Sequence, residues 1–196
     1  MANLQNVSGL SPVNHLSGDL NAHTRTYCIL PTDTNAYAIG DPVVSVANAD
    51  GNGVPAVTLA AITGPIRGVI VGLGTSEGGI FNPNNLNSTI RPSGAQTGYW
   101  YAMVVDDPYY IFEVAEVSGG TQLSATSVGQ NTNLVAGTNN GYQSGWMLGN
   151  STVGTAATLQ CRILGLVRKP GNSYGAYAKW LVTINNHELH AGTVGI

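Results

Sequence analysis

The chain has 196 residues, and only seven are basic and ten acidic, so charged side chains make up 9% of it where an ordinary soluble domain carries roughly 25%. A net charge of −3 spread this thinly offers no basic field to hold a phosphate backbone or an anionic bilayer, and no acidic block to mimic one, which excludes nucleic acid and membrane as expected partners. Apolar residues at 43% exclude a disordered polar chain, and 26 glycines among many Asn, Ser and Thr predict a turn-rich β protein whose neutral surface is weakly protected against self-association.

Residues 1–23 carry Leu4, Val7, Leu10, Val13, Leu16 and Leu20 at a spacing of about three. Gly9, Pro12 and Gly18 interrupt them, and Gly and Pro inside a helix cost about 1 and about 3 kcal/mol relative to Ala. The expectation is an extended N-terminal arm that docks its leucines on another surface. The same stretch has neither a basic start nor a continuous apolar segment, so a protein made in the cytosol without a cleaved leader is expected.

From Arg25 onward the signals are those of strands: residues 26–30, 43–47 and 54–60, with Ile39-Gly40-Asp41-Pro42 and Asp50-Gly51-Asn52-Gly53 as turns, the second a hairpin signal because Asn and Gly tolerate positive φ. Residues 66–73 form a further strand containing Gly68 and Gly72, which suggest bulges or close backbone approach. After a polar stretch come strands at 99–105 and 109–117, joined at a corner by Asp106-Asp107-Pro108, then a possible helical turn at 124–128 and strands at 145–148, 155–167 and 178–184. The expected fold class is all-β, with a sandwich or barrel core or two small β lobes: arm 1–23, N-terminal β module 24–74, polar connection 75–96, and C-terminal β module with its tail 97–196.

Motifs with chemistry are scarce. Gly72-Leu73-Gly74-Thr75-Ser76-Glu77-Gly78 lacks the spacing of a dinucleotide loop and the Lys of a phosphate loop. Asp106 and Asp107 would point to opposite faces of a strand and precede a proline, so a capped turn is expected rather than an acid/base pair. His187 and His190 flank Glu188 with no third ligand nearby in sequence. Cys28 and Cys161 match no metal or redox spacing and are expected as two small buried side chains. Asn6-Val7-Ser8, Asn87-Ser88-Thr89 and Asn150-Ser151-Thr152 are expected chance matches to the glycosylation pattern. The aromatics Tyr99, Trp100, Tyr101, Tyr109, Tyr110 and Phe112 lack neighbouring cations for base stacking, so packing in a core or a subunit interface is expected of them. Neither an enzyme nor a cofactor or metal site is expected.

Tyr101-Ala102-Met103-Val104-Val105-Asp106-Asp107-Pro108, Ile111-Phe112-Glu113-Val114 and Val128-Gly129-Gln130-Asn131-Thr132-Asn133-Leu134 resemble structural proteins of tailed-bacteriophage heads. Leu164-Gly165-Leu166-Val167-Arg168-Lys169-Pro170 and Ala178-Lys179-Trp180-Leu181-Val182-Thr183-Ile184-Asn185 fit the same pattern, which covers roughly the last 100 residues. Gly40-Asp41-Pro42-Val43 and Arg67-Gly68-Val69 add a weaker likeness to the β modules of head-decoration proteins. The resemblance to these capsid decoration, or cement, proteins implies a non-enzymatic virion protein on the outer capsid surface that clamps neighbouring major capsid protein subunits, as a homo-oligomer, with a trimer favoured. The expected contacts are Leu4, Val7 and Leu10 at one end and Leu189, Val194 and Ile196 at the other. The alternative is a carbohydrate-binding virion module, in a tail fibre or head appendage, stacking sugars on Tyr99, Trp100 or Trp146.

Overall fold

Short apolar runs separated by glycine and Asx turns give a chain built of strand and loop. The computed structural model describes residues 3–18, 23–77, 80–81 and 88–196. In chain order the strands are β1 (Ser11–His15), β2 (Thr24–Ile29), β3 (Tyr37–Ala38), β4 (Pro42–Ala49), β5 (Pro55–Leu59), β6 (Gly68–Glu77), β7 (Ile80–Phe81), β8 (Ile90–Arg91) and β9 (Trp100–Val105). They continue as β10 (Tyr110–Ala115), β11 (Asn131–Thr132), β12 (Leu134–Val135), β13 (Met147–Leu148), β14 (Cys161–Leu166) and β15 (Lys179–Ile184). One 3₁₀ turn, Ala125–Ser127, is the helical piece among the described residues, so the all-β class holds. Leu20, Gly78 and Asn87 lie outside the described residues, and with them part of the arm, of the glycine-rich loop and of one glycosylation match.

Five strands close into a barrel. The order β4-β5-β2-β9-β6 returns to β4 through Pro42 against Val69 and Val43 against Gly68. All neighbours are antiparallel except β2 and β5, which run parallel with Cys28 opposite Ala56. Alternate side chains, among them Tyr27, Ile29, Val43, Val57, Ile70, Ala102 and Val104, form one buried cluster, as the two-residue period of strands requires of an inward face. Bulges between Val46 and Ala49 and between Ile70 and Gly72 supply the curvature of so small a ring.

Three buried tyrosines take carboxylate partners. Tyr27 Oη donates to Asp106 at 2.7 Å, Tyr101 Oη to Asp50 at 2.6 Å, and Tyr37 Oη to Asp33. Burial and the Asp106 acceptor push the Tyr27 phenol up to about 12, so it is a donor at any physiological pH. Arg91, fully buried, donates to the Asp33 and Asn35 carbonyls and sits over the Tyr37 ring, fixing the loop before β3.

The second sheet has the order β1-β10-β15-β14-β11 and is antiparallel throughout. Its inner residues Phe112, Val114, Ile163, Trp180 and Val182 pack with Val69 and Val105 from the barrel and with Ile66 just before β6, so one core joins the two sheets. Two expectations are corrected here. The division into modules 24–74 and 97–196 fails, because β9 lies between β2 and β6 at the centre of the barrel and the two sheets share a core. The 75–96 stretch is not a mere polar connection: β6 runs to Glu77, β7 pairs with it, and β8 brings Arg91 into the interior.

Residues 1–23 are also more than a docking arm. β1 pairs with β10, placing Ser11 opposite Glu113 and His15 opposite Tyr110, and Leu10 is 1% exposed within the shared core. Entry depends on two glycines back to back: Gly9 (φ 66°) and Gly40 (φ 95°), with Leu10 N–H donating to Gly40 O at 3.0 Å. A Cβ on Gly40 would lie 2.3 Å from Ser8 O in a backbone conformation that side chains rarely adopt. Gly40→Val is therefore expected to lower unfolding free energy by about 3 kcal/mol or more, read as the urea midpoint. Gly51→Ala, where a Cβ meets nothing within 4 Å, should stay within about 0.5 kcal/mol of the parent.

Candidate interaction surface

Both chain ends are tied to the body while their apolar side chains face out. At the start, the Asn3 side chain forms a clasp: Nδ2 donates to Ser173 O at 2.8 Å and Ala176 O at 2.9 Å, and Oδ1 accepts from Ser173 N–H at 2.9 Å. Leu4 beside it remains 85% exposed. At the other end, Gly195 N–H donates to Thr155 O and Ile196 N–H to Gly129 O at 3.0 Å, while Arg162 donates to Thr193 Oγ1 and Val194 O. Asn131 and Asn185 grip Thr193 from the inner side. The tail is thus a strap along the β11–β14 edge, with Val194 66% and Ile196 87% exposed.

Of the six contact residues expected from sequence, Leu4, Leu189, Val194 and Ile196 are open, Val7 is half-buried against the 137–147 loop, and Leu10 belongs to the chain's own core. Leu10 as an intermolecular contact is a correction; its neighbour β1 supplies the backbone pairing that draws it inward.

Between the two tethered ends lies the outer face of the five-stranded sheet. Strand alternation that buries Trp180 and Val182 turns Leu181 outward, and the bulge between Ile163 and Gly165 turns Leu164 to the same side. With Val128, Leu166 and Tyr174 they line a hollow of about 550 Å³, continued past Leu164 by a second of about 190 Å³ that reaches Leu16, Tyr109 and His190. Part of the charge near this face is already paired, Lys169 with Glu113 at 2.6 Å and Arg162 with the tail, while Arg168 stands at the rim of the hollow. What the hollow offers a partner is mainly apolar side chain, with the Arg168 guanidinium at its rim. Sequence reasoning identified these strands but not their outward leucines. The signal was present in Lys179-Trp180-Leu181-Val182, where apolar residues occupy both faces.

Other candidates are placed as follows. Asp106 and Asp107 sit at the corner where the chain leaves the barrel for the second sheet; Asp107 caps the turn by accepting from Tyr109 N–H at 2.9 Å, and Asp106 joins Tyr27 and Arg67. His187 is buried and its Nδ1 accepts from Leu189 N–H at 3.0 Å, while Glu188 accepts from Ser45 N–H and Oγ and so ties the chain after β15 to β4. Among the described residues no group of three or more His, Cys, Asp or Glu is placed to hold a metal ion. Cys28 and Cys161 are buried free thiols in different clusters, and burial pushes Cys161 up to about 12. Trp146 is buried and Tyr99 and Trp100 are half-buried, which removes Trp146 as an open stacking platform. No described helix is long and apolar enough to cross a membrane. Compared with protein-family models, with curated proteins and with solved structures, the chain matches none.

Proposed function

We propose that this chain is a non-enzymatic structural protein of a tailed-phage head, bound to the outside of the capsid as a closed homo-oligomer, a trimer, and clamping neighbouring major capsid protein subunits. The observation that carries this is the outer face of the five-stranded sheet: an apolar hollow with charged groups at its margins, bordered by tethered ends whose Leu4, Val194 and Ile196 project outward. Such a face buries well against protein and poorly against water, and exposed apolar patches of this kind mark interaction sites. The resemblance of the β9–β10 corner and of residues 164–170 and 178–185 to head proteins supports the major capsid protein as the partner in this reading. Carbohydrate binding is the weaker alternative, since Trp146 is enclosed.

Deleting residues 1–23 is a poor test, because it removes β1 and Leu10 from the fold. The double variant Val194→Asp/Ile196→Asp changes exposed side chains and keeps the backbone strap. Light scattering of the parent protein should give three times 20.3 kDa, and the parent should decorate undecorated heads. The double variant should keep its circular dichroism spectrum and bind heads at least about tenfold more weakly, the equivalent of about 1.4 kcal/mol. A parent protein that stays monomeric at micromolar concentration removes the trimer, and one that binds no heads removes the proposal.

A further inference from the structure

A second, smaller site stands apart from the apolar hollow. The 169–177 loop curls over the outer face of the sheet where β15 begins, and the segment around Leu4 and Asn6 closes it from the other side, leaving a cavity of about 350 Å³. That is the size of a small-molecule pocket. Its parts are fixed before any ligand arrives. The Asn172 side chain accepts from Lys179 N–H at 2.8 Å and donates to Lys179 O at 3.0 Å and to Val167 O at 2.8 Å, so it holds loop to strand in both directions. The Asn3 clasp holds the chain start against the same loop.

Lys179 lines this cavity and is only 8% exposed. Its backbone is fully paired, yet among the described residues its ammonium makes neither a hydrogen bond nor an ion pair. Lys169 lines the cavity too, but Glu113 neutralises it at 2.6 Å. Two ammonium groups and one carboxylate leave one uncompensated positive charge, set beside apolar surface from Leu4, Pro170 and Tyr177. The stem of Lys179 is buried while its Nζ is not fully enclosed, so a ligand in the cavity can reach the ammonium and supply the counter-charge.

We infer that this cavity binds a carboxylate carrying an apolar substituent, with the Lys179 ammonium as its ion partner. Charge selects the class: a single negative charge balances the site, whereas a phosphate dianion would overshoot it. The tether fits too, because an apolar group next to the carboxylate would lie on Leu4 and Tyr177 while the charge faces Lys179. Burial holds the Lys179 ammonium below its ordinary range, with Glu113 opposing and Lys169 reinforcing the shift, and an arriving carboxylate would raise it again. The carboxylate could belong to a free organic acid or to a protein segment, either at its C-terminus or on an acidic side chain. The site stands independently of the shell-binding proposal.

The test uses the full chain with isotopically labelled lysine, followed by NMR at the Lys179 side chain. Titrants are butyrate, inorganic phosphate, a short apolar peptide with a free C-terminus, the same peptide amidated, and the amidated peptide with an internal Glu. Butyrate should shift the Lys179 resonance saturably in the millimolar range, and phosphate should bind more weakly than butyrate. Lys179→Met should weaken butyrate at least about tenfold. Glu113→Gln, which frees the second ammonium, should tighten it several-fold. Peptides with either carboxylate binding much more tightly than butyrate, with the plain amidated peptide silent, would identify a protein segment as the source; equal affinity would identify a free acid. Should Lys179→Met fail to fold, the parent titration and Glu113→Gln decide. An unmoved Lys179 resonance with every carboxylate, a preference for phosphate, or unchanged binding in a folded Lys179→Met protein overturns the inference.

Discussion

Glu116→Ala should lower the free energy of unfolding by about 4 kcal/mol, read as the urea midpoint. Glu116 is completely buried, and its two oxygens serve three donors. Oε1 accepts from Leu123 N–H at 2.7 Å and from Asn150 Nδ2 at 3.2 Å, and Oε2 accepts from the Trp180 indole at 3.0 Å. Through them one side chain anchors the loops around 123 and 150 to the core tryptophan of β15. Removing the carboxylate leaves three donors facing a cavity, and each unsatisfied buried group costs about 1–3 kcal/mol. Glu116→Gln should recover only part of the loss, because its amide nitrogen turns a donor towards donors. A Glu116→Ala protein within about 1 kcal/mol of the parent would show that water or loop rearrangement satisfies these groups instead.

Stability should also fall as pH is lowered from about 6.5 to about 4, by about 3 kcal/mol, because of His187. His187 is 4% exposed; its burial lowers the imidazole to about 4, the Arg67 charge adds to that, and Asp106 and Glu188 oppose it. In the unfolded chain the same ring takes up a proton near its ordinary value. Through this window the unfolded state binds more protons than the folded one, so stability rises with pH, is complete above about 6.5, and stops falling below about 4. His187→Asn keeps an acceptor for Leu189 N–H and does not titrate, so the His187 share of the slope should be missing from its urea midpoints between pH 7 and pH 4.5. Asp41, whose carboxyl is raised by burial, acts in the opposite sense at the acid end, so the quantity to compare is the difference between parent and variant. An equal slope in both proteins would assign the acid lability elsewhere.

The strands whose local pattern is self-sufficient were legible in the residues: β4 and β5 around Asp50-Gly51-Asn52-Gly53, and β9 and β10 around Asp106-Asp107-Pro108. β1 was not, because Gly9 and Pro12 deny it a local pattern and its order comes from the free edge of β10. Arg91 reads as a surface cation on any scale; only the two carbonyls waiting at 33 and 35 make its burial affordable. The module boundary failed for a similar reason, since nothing in residues 100–105 announces that their neighbours on either side come from β2 and β6. At the candidate surface, exposure of the C-terminal apolar groups was foreseeable from their isolation. The strap beneath them depends on Asn131, Arg162 and Asn185 meeting across the fold, which linear spacing does not reveal.

The barrel's ring has a consequence for how the protein is made. Thr24 of β2 pairs with Val105 of β9, and Val69 of β6 pairs with the same residue, so β9 fills a slot whose two walls leave the ribosome well before it does. Until then the nascent chain holds the β4–β5 hairpin and two strands with bare edges, one rich in Val, Ile and Leu. Late arrival of a central strand delays closure and leaves those edges open to other chains, as expected of folds dominated by distant pairings. With its central strand arriving last, the protein is most exposed to this hazard during translation, and a chaperone that shields β6 would raise the yield of folded protein.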